Sequence, residues 1–253
     1  MANIIAVLNQ KGGVGKTTTA INIAAYLAKA GRRVLIVDAD PQGNATSGLG
    51  QDKNALKRSI YDILLARADA SSAIKKTSHK NLYLLGSNAQ LAGAEVELVE
   101  LPGREFYLKH VLEPLNYDYI IIDCPPSLGL LTVNALAAAT DALVPVQAEY
   151  YALEGLSQLL ATIQQVQAGL NPELRLLVVA LTLYDSRNSL SEQVRAELEK
   201  HFGQKLLQTV IPRNVRLAEA PSFGKTIVEY DKWSKGARAY KALAKEIEEK
   251  IYG

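Results

Sequence analysis

The chain has 253 residues, 48% of them hydrophobic, with 28 basic and 26 acidic side chains, enough to bury one large core or a core with an appendage. A formal charge of +2 is too small to announce a nucleic-acid partner, so any such site has to come from local clustering. The single cysteine, Cys124, excludes an intramolecular disulfide framework and a Cys-rich metal site, and no apolar run approaches the ~20 residues of a membrane span. The opening Met1-Ala2-Asn3 enters a strand at once, so neither a signal peptide nor an added helix-turn-helix module is expected before it.

Runs rich in Ile, Val and Leu alternate with helical periodicity along the whole sequence. Strands are predicted near 3–9, 33–38, 81–86, 118–123, 142–146, 175–183 and 206–211, and helices near 17–30, 101–113, 129–139, 153–169 and 189–202. A C-terminal helix is predicted near 236–251, and Tyr150-Tyr151 at a strand-to-helix joint. Most strands are apolar almost throughout, as strands buried on both faces are. The alternation predicts an α/β fold: one P-loop NTPase domain over 1–253, with a mostly parallel twisted sheet, helices on both faces and right-handed crossovers. Ligands of such sheets sit beyond the carboxyl ends of the strands.

The first apolar run, Ile4-Ile5-Ala6-Val7-Leu8, leads into Gln10-Lys11-Gly12-Gly13-Val14-Gly15-Lys16-Thr17-Thr18. This follows the phosphate-loop pattern except at its first position, where Gln10 replaces the usual glycine. Gly12, Gly13 and Gly15 let backbone N–H groups curl around phosphate oxygens, and the following helix offers its positive N-terminal end. Gly12 to Thr18, Val14 included, are therefore the expected nucleotide cradle. Lys16 is expected to reach the β- and γ-phosphates and the Thr17 hydroxyl to hold Mg²⁺, which makes ATP and Mg²⁺ the expected cofactors. Lys11 is a second lysine that the general pattern lacks.

Two further apolar strands end in acids. Val34-Leu35-Ile36-Val37-Asp38-Ala39-Asp40-Pro41-Gln42-Gly43 brings two carboxylates to the sheet edge, where one can assist Mg²⁺ and the other can orient the attacking water. Tyr119-Ile120-Ile121-Ile122-Asp123-Cys124-Pro125-Pro126 is Walker-B-like, with Asp123 placed for the magnesium water shell. Cys124 reads as a small buried residue rather than a reactive one.

Lys11 within Lys-Gly-Gly-x-Gly-Lys-Thr, followed by Asp-x-Asp-Pro-Gln-Gly, resembles the deviant Walker A ATPases of the ParA/MinD family. The segment Val210 to Lys225, with Ile-Pro-Arg-Asn and Ala-Pro-Ser-x-Gly-Lys, looks very like the short chromosomal ParA partition proteins often called Soj. The resemblance covers nearly the whole chain. It implies that Lys11 crosses a dimer interface to the partner's nucleotide, that Asp40 positions the attacking water, and that Asp38 serves the magnesium side. It also implies a nucleotide-sensing switch at Ser127-Leu128-Gly129 and an adenine near Pro212 and Asn214. The implied activity is slow ATP hydrolysis that drives DNA partition: Mg-ATP forms a sandwich homodimer, the dimer coats the nucleoid, and a ParB-like partner stimulates turnover. The implied location is cytoplasmic and nucleoid-associated.

Positive charge gathers late in the chain. From Arg213 to Lys245 eight basic residues face three acids, an excess of five in a chain of net +2. Arg216, Lys225, Lys232, Lys235 and Arg238, with Arg187 in the loop Tyr184-Asp185-Ser186-Arg187-Asn188, are expected to neutralise phosphates of double-stranded DNA without reading its sequence. In the C-terminal helix Tyr240, Leu243, Ala244, Ile247 and Ile251 form one apolar stripe, opposite three lysines and three glutamates. A membrane-surface helix would be basic there, so this one is expected to pack on its own core, with no membrane partner.

Three competing readings follow from the same residues. One is a MinD-like, membrane-associated division-site ATPase, and another is a small-molecule phosphotransferase or ligase using Lys11 within one subunit. The third keeps the mechanism but positions a protein cargo. His79, His110 and His201 are scattered without metal-ligand spacing.

Overall fold

A computed structural model of the chain describes residues 2–149 and 152–252, so the joint expected at Tyr150-Tyr151 lies outside the described residues. Seven strands, β1 (Asn3–Val7), β2 (Val34–Asp38), β3 (Ile74–Lys76), β4 (Leu82–Leu85), β5 (Tyr119–Asp123), β6 (Asp141–Gln147) and β7 (Arg175–Thr182), form one sheet. Its order is β3-β4-β2-β5-β1-β6-β7, parallel throughout except for β3 against β4. Every residue of β2 and β5 is buried, which explains their unbroken apolar runs.

The helices are α1 (Lys16–Lys29), α2 (Asn44–Gly48), α3 (Ile60–Leu64), α4 (Ala70–Ala73), α5 (Leu91–Val99), α6 (Tyr107–Leu112) and α7 (Leu130–Ala138). They continue with α8 (Ala152–Gly169), α9 (Ser189–Phe202), α10 (Val215–Glu219), α11 (Ile227–Tyr230) and α12 (Lys235–Tyr252). Strand alternation splits the core into two layers. Ile5, Val7, Val34 and Ile36 face α1 and α12, whereas Ala6, Leu35 and Val37 face α3, α5, α6, α7 and α8. The stripe on α12 is buried at Tyr240, Leu243, Ala244 and Ile247, and the Tyr240 hydroxyl lies 3.0 Å from Thr19 Oγ1 on α1. Among the described residues no helix is long and apolar enough to cross a membrane.

Two predicted elements differ, and the edge strand β3 was not expected. Segment 206–211 runs beside β7, with Leu207 N donating to Val179 O and Ile211 N to Leu181 O. Between them, however, Gln208 N and Thr209 N donate to the Glu246 carboxylate at 2.7 and 3.0 Å, so no strand ladder forms. The helix expected over 101–113 is shortened by Pro102-Gly103, where Gly103 turns at φ 64, to a 3₁₀ turn Arg104–Phe106 and α6. The edge strand β3 is too short and too basic, at Ile74-Lys75-Lys76, to read as a strand from sequence, and its lysines are of the kind that blunt sheet edges.

Truncation of the fully buried Leu243 to Ala should cost about 2–5 kcal/mol through weakened packing and a residual cavity. Urea unfolding is the measurement: a lower midpoint at unchanged slope is expected, and a wild-type midpoint would show that α12 is not part of the core.

Candidate nucleotide site

Register assembles the site. Asp123 is paired with Val7 on one side and with Asp38 on the other, so the carboxyl ends of β2, β5 and β1 lie in a row. Beyond β1, Leu8 N donates to Leu143 O, and the buried Asn9 side chain donates to Pro145 O at 2.7 Å while accepting from Lys11 N at 3.0 Å. Asn9 thus ties the start of the loop to β6. Gly13 and Gly15 have φ of 76 and 87, a region that L side chains avoid, and Gly15 caps α1 without a side-chain hydrogen bond. The N–H groups of the first turn of α1 have no upstream carbonyl partner and point toward any anion in the loop. Thr182 Oγ1 donates to Val14 O at 2.8 Å and closes the far side of the loop.

The two lysines part company here. Lys16 is buried and folds back across the loop, its ammonium donating to Lys11 O at 3.0 Å. Burial lowers its pKa, against the opposing pull of Asp123, Cys124 and Asp40. Lys11 turns the other way: its ammonium sits 2.7 Å from Glu149 Oε2, with side chains 41% and 44% exposed. Glu149 is also held by the Gln147 amide.

The three carboxylates have different surroundings. Asp123 is fully buried and neither oxygen has a hydrogen-bond partner, so burial pushes its pKa well up, Asp38 and Asp40 push the same way, and Thr17 and Lys16 offset only part. Asp38, expected on the magnesium side, is engaged at both oxygens. Oδ2 accepts from Thr46 N at 2.8 Å and Thr46 Oγ1 at 2.7 Å, and Oδ1 accepts from Asp40 N at 3.3 Å. Burial still raises its pKa to about 6. Asp40 is buried and its Oδ1 accepts from Gln42 N at 2.8 Å. The turn needs Gly43, because at φ 62 a Cβ would lie 2.8 Å from Ser87 O. A cavity of about 400 Å³ opens against Thr17 and Thr18 and is also lined by Asn44, Ser47 and Lys225.

These residues fit a magnesium ion. An orphaned, fully buried carboxylate at Asp123 beside the Thr17 hydroxyl is a hard-oxygen pair that only a cation or a proton can satisfy. No group of three or more His, Cys, Asp or Glu side chains that could hold a metal ion is found among the described residues.

The other expected contacts lie further out. Pro212 bridges Tyr184 just beyond β7, and Asn214 Oδ1 accepts from Arg216 N at 3.1 Å as the cap of α10. Arg187 is bound by Asp185 at 2.9 and 2.8 Å, and Arg216 by Glu219 at 2.9 Å. Lys225 lines the cavity beside Thr17, Lys235 opens α12, and Lys232 and Arg238 are exposed. Sequence reading missed Asn9, Thr46, Thr182 and Glu149. A signal existed only for Glu149, an acid just past an apolar strand, as at Asp38 and Asp123.

A mostly parallel sheet with an interior strand that runs through a glycine-rich loop into a helix, with a buried lysine and an unpaired aspartate at that edge, defines a P-loop ATPase that works with Mg²⁺. A family model described as an AAA domain matches residues 2–176. The sporulation initiation inhibitor protein Soj of Bacillus subtilis is 57% identical over 98% of this chain and 98% of its own. The chromosome-partitioning ATPase Soj of Thermus thermophilus is 55% identical over 96% and 94%. The crystal structure of cobyrinic acid a,c-diamide synthase from Mycobacterium smegmatis with bound ATP analog and magnesium superposes with a TM-score of 0.86 at 43% identity, covering 97% of this chain and 93% of that one. The chain belongs to the ParA/Soj family of chromosome-partitioning ATPases.

The raised carboxylates predict a pH dependence. With a folded-state pKa of about 6 against an unfolded value near ~3.9, Asp38 binds more protons folded than unfolded, so its contribution is fully present below pH ~4 and lost as pH rises through 6. Thermal melts of the metal-free protein should show this loss between pH 4 and 7, and Asp38→Asn should flatten it. Mg-ATP competes with the proton that burial favours on Asp123, so its stabilisation should grow as pH rises. A Mg-ATP effect that shrinks as pH rises would contradict the carboxylate assignment.

Proposed function

We propose that this chain is an ATP-gated DNA-partition switch: Mg-ATP forms a sandwich homodimer, the dimer holds double-stranded DNA without sequence preference, and a ParB-like partner triggers hydrolysis and release. The observation that carries the reading is the division of labour between the lysines. Lys16 is buried inside its own loop, whereas Lys11 projects outward and, among the described residues, its ammonium is held by Glu149 alone. A cation turned away from its own cradle can neutralise phosphate held by a second chain, and ADP, with less charge, would hold the dimer less well.

In this reading the backbone of Gly12, Gly13, Val14, Gly15 and Thr18 wraps the phosphates, and Lys16 holds the β- and γ-oxygens. Thr17 and Asp123 would hold Mg²⁺, which screens phosphate charge during transfer. Asp40 orients the attacking water. Asp38 acts one step further back, fixing the Asp40 and Thr46 backbone. Pro212 and Asn214 flank the adenine, with the Asn214 amide left to read its edge while Oδ1 caps α10. Arg187, Arg216, Lys225, Lys232, Lys235 and Arg238 meet DNA phosphates, which gives the chain its nucleoid association.

Binding to a non-specific duplex with ATP, ADP or no nucleotide, at two salt concentrations and with sizing in parallel, tests the reading. Dimer and salt-sensitive DNA binding should appear with ATP alone. DNA-independent turnover by a monomer would favour a small-molecule ligase instead. Among variants, Asp40→Ala should accumulate an ATP-bound dimer, and Arg216→Glu should lose DNA while retaining nucleotide; the reverse pattern would cross the two assignments.

A further inference from the structure

The cations expected to meet DNA are of two kinds. Arg187 is gripped by both oxygens of Asp185, and Arg216 by Glu219 at 2.9 Å and Asp231 at 3.7 Å, so DNA has to compete with internal partners at both. A groove of about 780 Å³ between α1 and α12 offers cations without such partners. Lys29, Lys232, Arg238 and Lys241 edge it, and among the described residues none of the four is in an ion pair. The acid on its lining, Glu248, is taken by Arg32 at 2.9 Å.

The chain's one tryptophan stands at this rim. Trp233 is 77% exposed, and the Lys232 ammonium lies 5.1 Å from its ring centroid. Apolar atoms from Tyr26, Leu27 and Ala244 line the groove between the cations. A lipid surface requires an apolar face that projects, whereas here the apolar atoms lie in a concavity and Trp233 alone stands proud. Spaced, unpaired cations around a concave track match a sugar-phosphate backbone better, with the cations on phosphates and the flat indole against deoxyribose.

We propose that the α1–α12 groove is a docking track for double-stranded DNA, with Lys29 and Lys241 as phosphate contacts and Trp233 as an apolar contact to the backbone sugars. The proposal rests on the DNA-binding reading above and extends it from the Arg187 and Arg216 loops down one flank of the molecule. The two regions are continuous, because Asp231, two residues before Trp233, lies 3.7 Å from the Arg216 guanidinium. No element at the groove is shaped to read base edges, so the track serves any sequence.

Trp233 is the only tryptophan, so its emission reports on this rim alone. With Mg-ATP, a short non-specific duplex should change that emission over the same concentrations that raise the anisotropy of labelled DNA. Lys29→Glu and Lys241→Glu, both at exposed positions, should each lower the slope of log affinity against log salt by ~0.9, because one phosphate fewer is neutralised. Thermal melts check that both variants are folded. DNA binding with unchanged emission and wild-type salt slopes in both variants would overturn the groove and leave the DNA reading standing. If the unaltered protein bound no duplex in any nucleotide state, the DNA reading would fall and the groove with it. An emission change with phosphatidylglycerol vesicles but not with duplex would make the groove a lipid surface, again overturning the proposal.

Discussion

A carboxylate buried without a partner organises this molecule. Asp123 ends a strand flanked on both sides by parallel strands, so water cannot reach it and the protein gives it no hydrogen bond. An ionised acid in that position costs several kcal/mol unless a cation arrives, so burial favours a proton there. The P-loop lies on one side of Asp123 and Asp38 on the other, because register leaves no other arrangement. Phosphate, metal and the turn that carries Asp40 are thereby brought to one edge before any ligand binds.

The turn is the site's adjustable part. Asp38 holds Thr46 by backbone and hydroxyl, Thr46 in turn accepts from Ser87 N at 2.9 Å, and Gly43 permits the close approach to Ser87 O. Asp38 and Thr46 thus tie the end of β2 to the Gly43 turn and to Ser87. Asn44 and Ser47, which flank Thr46 in the same turn, line the cavity beside Thr17 and Thr18. On the opposite side, the Lys11–Glu149 pair is exposed and of the weak, solvent-screened kind, so it restrains Lys11 without committing it.

Much of this was legible in the residues themselves. Buried parallel strands advertise themselves as unbroken apolar runs, and the acids that end them stand out against that background, which is why Asp38, Asp40 and Asp123 can be picked out from the sequence. What a strand's neighbours do to it is not local. Nothing within 206–211 says that Glu246, far along the chain, takes its amide protons, and nothing around Asp38 says that Thr46 will occupy its oxygens. Charge counting likewise finds the basic C-terminal third but cannot separate paired cations such as Arg187 from unpaired ones such as Lys241.

In the proposed switch, Lys11 acts on the nucleotide of a second chain. Mixing Lys11→Ala with Asp40→Ala, each inactive alone, tests it most directly through ATP turnover. In a mixed dimer the Lys11→Ala subunit keeps Asp40 and receives Lys11 from its partner, so the mixture should hydrolyse ATP faster than the sum of the two variants measured separately. A mixture no faster than that sum, with mixed dimers demonstrably formed, would mean that Lys11 serves its own site.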